Sequence, residues 1–108
     1  MAYNIHINKT KNDARSTSPV VSLDIMEHAE LFCQNKEILG KFINVNGMSN
    51  YYGDAVYIGH EIVVLKAELE EMAELLCNDK DACSVIVKIL SMVEKASLEN
   101  MNIYCFSE

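Results

Sequence analysis

The sequence predicts an α+β fold, about three helices packed on a small antiparallel sheet that includes the N- and C-terminal strands. Three observations predict it. Tyr3 to Asn8 alternates strictly, with Tyr3, Ile5 and Ile7 on one side and Asn4, His6 and Asn8 on the other, which is the pattern of a half-buried strand. Asn102 to Phe106 also alternates, Ile103 and Cys105 against Tyr104 and Phe106. Between these ends, Ile62, Leu65, Leu69, Met72 and Leu76 recur at steps of three and four residues, the repeat of one helix face. Strands at both termini with helices between them place the two ends side by side in one sheet, covered by the helices. With 108 residues, the chain has the length of one domain.

The elements follow in order. After the first strand, Lys9 to Pro19 is polar, rich in Ser, Thr, Lys and Asn, and holds the only proline, so residues 9–19 are expected to form a mobile surface loop. Ser22 is the expected N-cap of a first helix running to about Asn35, with Asp24 and Glu27 near its start, where the helix dipole favours negative charge. Its apolar stripe is read as Ile25, Ala29 and Phe32, with Met26 and Cys33 beside them. Glu37 to Lys41 adds one turn before Gly40, and Phe42 to Asn46 is expected to be a short strand ended by Asn46-Gly47. Met48 to Gly59 is irregular, leading into a short strand over Ala55 to Ile58.

The 56–64 segment has two readings. Gly59-His60, flanked by Val56-Tyr57-Ile58 and Ile62-Val63-Val64, fits a hairpin turn or the start of a helix from His60 to Cys77. The periodicity that follows favours the helix. Asp79 and Asp81 then offer caps for a third helix with Val85, Ile86, Ile89, Leu90, Val93 and Ala96 inward and Asn100 as terminator.

Composition narrows the function classes. The formal net charge is −7, and residues 1–21 carry Lys9, Lys11 and Arg15 against Asp13, so the negative excess belongs to the rest of the chain. Direct nucleic-acid binding is disfavoured, because phosphate contact needs a basic surface. A basic protein partner suits such a field. No apolar run approaches the roughly 18 residues of a membrane span, and the opening residues lack the pattern of a secretory signal. A cytoplasmic location is expected, with no membrane association. The four cysteines, Cys33, Cys77, Cys83 and Cys105, are then expected to be reduced. Cys77 and Cys83 are spaced too far apart for a usual zinc pair and have no neighbouring His, so no metal and no other cofactor is expected. Cys33 and Cys105 lie among apolar residues and read as core.

Two segments stand out as candidate partner-binding sites. On the helix from His60, the side opposite the apolar stripe carries Ala67, Glu70, Glu71 and Glu74, flanked by Glu61 and Glu68. It reads either as a solvated face or as a docking ridge for a basic partner. Tyr51, Tyr52 and Asp54 occupy the irregular segment, where exposed aromatics serve as binding anchors and an adjacent carboxylate suits Lys or Arg. The same rings also suit the rim of a core. His6, His28 and His60 lack a Ser, Cys or Asp at a diagnostic spacing and read as polar-face residues, and the four glycines are too scattered for a phosphate loop. No catalytic residue is therefore expected.

The step Tyr52-Gly53-Asp54-Ala55-Val56, followed by Glu61 and by Leu65, Glu68-Leu69 and Leu75 in a helix, resembles small bacterial proteins encoded beside polymorphic or contact-dependent growth-inhibition toxins. The opening Tyr3-Asn4-Ile5-His6-Ile7 is similar to their first strand. Their last strand commonly ends in Gly-Asp, where this chain has Ser107-Glu108. The resemblance spans about half of the chain. It implies an immunity protein, a cytosolic inhibitor that binds and blocks its cognate toxin domain, commonly a basic nuclease. The rival readings are a homo-oligomeric structural or adaptor protein, a homodimer for example, to which Val63 and Val64 outside the inner stripe point, and a small enzyme with a dispersed site.

Overall fold

The computed structural model describes residues 2–108. Four strands form one antiparallel sheet in the order β2-β1-β4-β3. They are β1 (Tyr3–Asn8), β2 (Val21–Leu23), β3 (Ala55–Tyr57) and β4 (Asn102–Ser107). The two ends of the chain pair along their whole length, from Tyr3 opposite Ser107 to Asn8 opposite Asn102. The predicted class therefore holds, and so does the sharing of the sheet by both terminal strands.

Six helical segments occur among the described residues: α1 (Lys11–Arg15), α2 (Ile25–Phe32), α3 (Lys36–Leu39), α4 (Ile43–Asn46), α5 (His60–Leu75) and α6 (Lys80–Glu99). The long ones, α2, α5 and α6, match the three expected helices. Their inner faces pack with Tyr3, Ile5, Leu23, Tyr57, Ile103 and Cys105 from one side of the sheet. Leu65, Leu69, Met72, Ile86, Ile89 and Val93 are fully buried between them. Each such aliphatic side chain contributes about 1.5–3 kcal/mol by leaving water.

Helix ends follow local chemistry. Asp79 caps α6 by accepting from Ala82 N–H. Asn100 ends α6 in the left-handed conformation, φ 54°, which Asn tolerates better than most residues. Gly59 precedes α5 at φ 58°, ψ −124°, the first central position of a type II′ turn. Glu61 N–H closes that turn on Ile58 C=O. The helix reading therefore holds and the hairpin reading does not, because Ile62, Val63 and Val64 lie in α5 and β3 pairs with β4; the tight turn at Gly59-His60 leads into the helix.

Several expectations are corrected. The segment expected as a loop contains α1, whose Ala14 is buried with Tyr104 and Phe106 on the reverse side of the sheet. The cap of α2 is Asp24 and not Ser22. Asp24 accepts from Glu27 N–H while Glu27 reaches back to Asp24 N–H, a capping box, and Ser22 lies in β2, a strand that was not expected. The helix ends at Phe32, three residues earlier than expected, and its buried side is His28, Leu31 and Phe32, with Ile25, Met26 and Cys33 exposed. Phe42 to Asn46 is not a strand, because Ile43–Asn46 form α4. Cys105 is buried as expected, and burial pushes its thiol up to about 12.

Candidate functional site

Glu68 ties α5 to α4. The helix α4 has no side-chain cap of its own, since Phe42 occupies its cap position. One Glu68 carboxylate oxygen accepts from the backbone N–H groups of Asn44 and Val45, both at 3.1 Å, and the other accepts from Asn44 Nδ2 at 2.7 Å. A carboxylate at the positive end of a helix is favourable. Tyr57 completes the joint by donating its hydroxyl to Asn44 C=O. Gly47 is required there, because a Cβ on it would come within 2.8 Å of the Tyr57 hydroxyl. Glu68 is thus occupied by the fold and is a strut within the protein.

The remaining acidic residues of the ridge behave differently. Glu70, Glu71 and Glu74 are exposed on α5. The ion pairs among the described residues are His6 with Glu108, Arg15 with Asp54 and Lys88 with Glu27, so none of the three glutamates is in one. Glu70 and Glu74 lie one turn apart, where like charges cost about 0.2–0.5 kcal/mol. Lys66 is the sole Lys or Arg in α5, against five glutamates.

The aromatic segment is split by the fold. Asn50 Oδ1 accepts from Tyr52 N–H at 3.0 Å, and Gly53 N–H closes on Asn50 C=O at 3.1 Å, forming a tight turn. Tyr51 turns inward. It is 7% exposed and its ring lies 5.2 Å from His28 and 6.4 Å from Tyr3. Burial raises the pKa of its phenol, with the Asp24 carboxylate and Tyr52 adding to the shift. Tyr52 turns outward, 67% exposed, with its ring perpendicular to that of Tyr51 at 5.3 Å. Asp54 pairs instead with Arg15 at 3.7 Å. The Arg15 guanidinium also sits 4.2 Å from the centre of the Phe106 ring, a cation–π contact that packs α1 onto the reverse side of the sheet. The tight turn therefore keeps the neighbours Tyr51 and Tyr52 together but gives them opposite roles, and Asp54 serves the packing of α1.

Comparison with family models, with curated proteins and with solved structures gave no match.

The histidines were read as polar-face residues, and two are not. His6 and His28 are each 2% exposed. His6 Nε2 lies 3.3 Å from Glu108 Oε1, so it links the two ends of the chain, and its Nδ1 is buried without a hydrogen-bond partner among the described residues. The Glu108 carboxyl is held below its ordinary range, first by its bond from Asn4 and then by His6. His28 Nε2 lies 2.7 Å from Met48 C=O, which can only accept, so that nitrogen carries the proton. Its ring stacks on Phe32 at 4.5 Å. The pattern around residue 28 hid this burial, because a His among apolar positions registers as a break in the stripe. Among the described residues no three His, Cys, Asp or Glu side chains gather as a metal site, and no helix is long and apolar enough to cross a membrane.

Burial lowers the pKa of His28 more than the Met48 carbonyl raises it. Native His28 is therefore neutral where the unfolded chain, with a value near 6.5, begins to bind a proton. The stability it contributes is present above about pH 6.5 and is lost as pH falls through the depressed native value. The urea midpoint is expected to decline from pH 7 to pH 5. His28→Gln, which retains a donor toward Met48, is expected to flatten that decline. Equal declines in both proteins would show that His28 is not its source.

Proposed function

We propose that this protein is an immunity-type inhibitor, acting in the cytoplasm, that binds a cognate bacterial toxin domain and neutralises it by covering its surface. The observation that carries this reading is the outer face of α5, where Glu70, Glu71 and Glu74 stand exposed and outside the ion pairs among the described residues. Such a face suits a basic partner, and a nuclease domain is basic because it must approach phosphate. The sequence resemblance to proteins encoded beside contact-dependent toxins supports the same class. Occlusion needs no nucleophile, acid or base, and the protein is proposed to be a binder and not an enzyme.

Tyr52 is the proposed apolar anchor. An exposed aromatic held by a tight turn loses little freedom on binding, and that economy is what concentrates affinity in such residues. The test is to purify the C-terminal domain of the large secreted protein encoded beside this gene and to titrate it with the intact inhibitor. A stoichiometric complex that abolishes the domain's toxicity is expected. Tyr52→Ala should weaken it at least about tenfold while leaving the unfolding free energy within about 0.5 kcal/mol of the parent. Absence of a complex with an active toxin domain would overturn the reading. One observation favours self-association instead, the exposure of Val63 at 57%, and light scattering of the isolated protein separates the two.

A further inference from the structure

The depression between β2 and α6 differs in character from the acidic ridge. It encloses about 450 Å³ between Val20, Val21 and Ser22 on one wall and Lys88, Ser91 and Lys95 on the other, with the buried Met92 also lining it. β2 is the end strand of the sheet and, among the described residues, pairs only with β1. Alternate N–H and C=O groups on its outer side therefore lack a strand partner. On the facing wall, Lys88, Ser91 and Lys95 follow one another at steps of three and four residues, so they share one face of α6. Lys88 is paired with Glu27. Lys95 is in none of the ion pairs among the described residues. Two ammonium groups and an open strand edge thus border one apolar-floored groove, in a chain whose net charge is −7.

We infer that this groove receives an extended acidic segment of a partner protein, laid along β2 as a fifth strand. Strand addition draws affinity from backbone hydrogen bonds, which any sequence supplies, and selectivity from alternate side chains. Here the set of side chains that faces α6 meets Met92 and the lysines beside Val21, and the alternate set points to the reverse side of the sheet. Lys88 and Lys95 stand two turns apart on α6, about 10.5 Å along its axis, and carboxylates four residues apart on a strand lie about 13 Å from one another, a difference that two flexible lysines absorb. A basic segment meets like charge. This surface calls for a partner charge opposite to that of the α5 ridge, so the inference does not rest on the function proposed above.

The test uses two labelled synthetic peptides of about ten residues, long enough for one strand. One alternates Glu with Val or Thr, and the other has Lys in place of Glu. Both are titrated into the intact protein at low salt by fluorescence anisotropy. The Glu peptide is expected to bind at least about tenfold more tightly than the Lys peptide, and Lys95→Glu to lower that affinity about tenfold. Bound peptide should slow hydrogen exchange at the amides of residues 20–23. Ser91→Trp, an exposed change that fills the groove without altering its charge, should abolish binding with the urea midpoint unchanged. Equal affinity for the two peptides, or protection that spares residues 20–23, would overturn the inference. So would concentration-dependent protection of those amides without peptide, which would make a second copy of the chain the occupant.

Discussion

Glu68→Ala is expected to lower the unfolding free energy by about 2–3 kcal/mol, the largest stability effect of any change on the acidic side of α5. Three donors lose their acceptor at once: Asn44 N–H, Val45 N–H and the Asn44 side chain. Hydrogen bonds to a charged group are worth about 1.5–3 kcal/mol each, and donors left unpaired away from water add a desolvation cost. Partial exposure of Glu68 lets water recover part of that loss, so the three contributions are not summed. Glu68→Gln is expected to cost about 1 kcal/mol, since one oxygen still accepts from the two backbone groups while the charge assistance is gone. Urea denaturation measures both, and Glu70→Ala is the control. Glu70 makes none of these bonds, and its replacement should stay within about 0.5 kcal/mol of the parent. If Glu68→Ala behaved like Glu70→Ala, the α4–α5 joint would not be a stabilising contact.

The largest effect on binding is expected from replacing Glu70, Glu71 and Glu74 together with Lys. The change moves the formal net charge from −7 by six units and reverses the sign of one exposed face. Toward the cognate toxin domain, the association rate at low salt should fall about 10- to 100-fold, because exposed charge acts mainly on encounter. The rate should also lose most of its dependence on salt, as added ions screen an attraction that is no longer there. Dissociation should change less, being governed by packed contacts such as those proposed for Tyr52. The fold should survive, since these side chains are exposed and make no ion pair among the described residues. Stopped-flow mixing at two salt concentrations reads both quantities, and unchanged association at low salt would remove the ridge from the proposed interface.

Much of the fold was legible in the sequence where the pattern repeats over enough residues to average out exceptions. Tyr3 to Asn8 and Asn102 to Ser107 are strands because alternation puts Ile5, Ile103 and Cys105 on one side. The helices α5 and α6 are long enough that their stripes outweigh single departures, such as the exposed Val63. The short elements were not legible. Four residues of α4 carry no period, and their helical state depends on a carboxylate more than twenty positions later in the chain. A five-residue α1 likewise has little reason to form alone, and it is seated by Ala14 against Tyr104 and Phe106 and by Arg15 over the Phe106 ring.

The candidate site divides along the same line. Sequence by itself determined the class of fold, the pairing of the chain ends, the acidic character of the molecule, and the placing of Glu70, Glu71 and Glu74 on the outer side of a helix. All of these follow from spacing and composition, which are local properties. Only the tertiary structure decided that Glu68 is spent on α4, that Tyr51 is core while Tyr52 is surface, that Asp54 answers Arg15, and that His28 is buried and neutral. Each of those outcomes depends on what arrives from a distant part of the chain, and a side chain's partner across space leaves no mark on the spacing of its own neighbours.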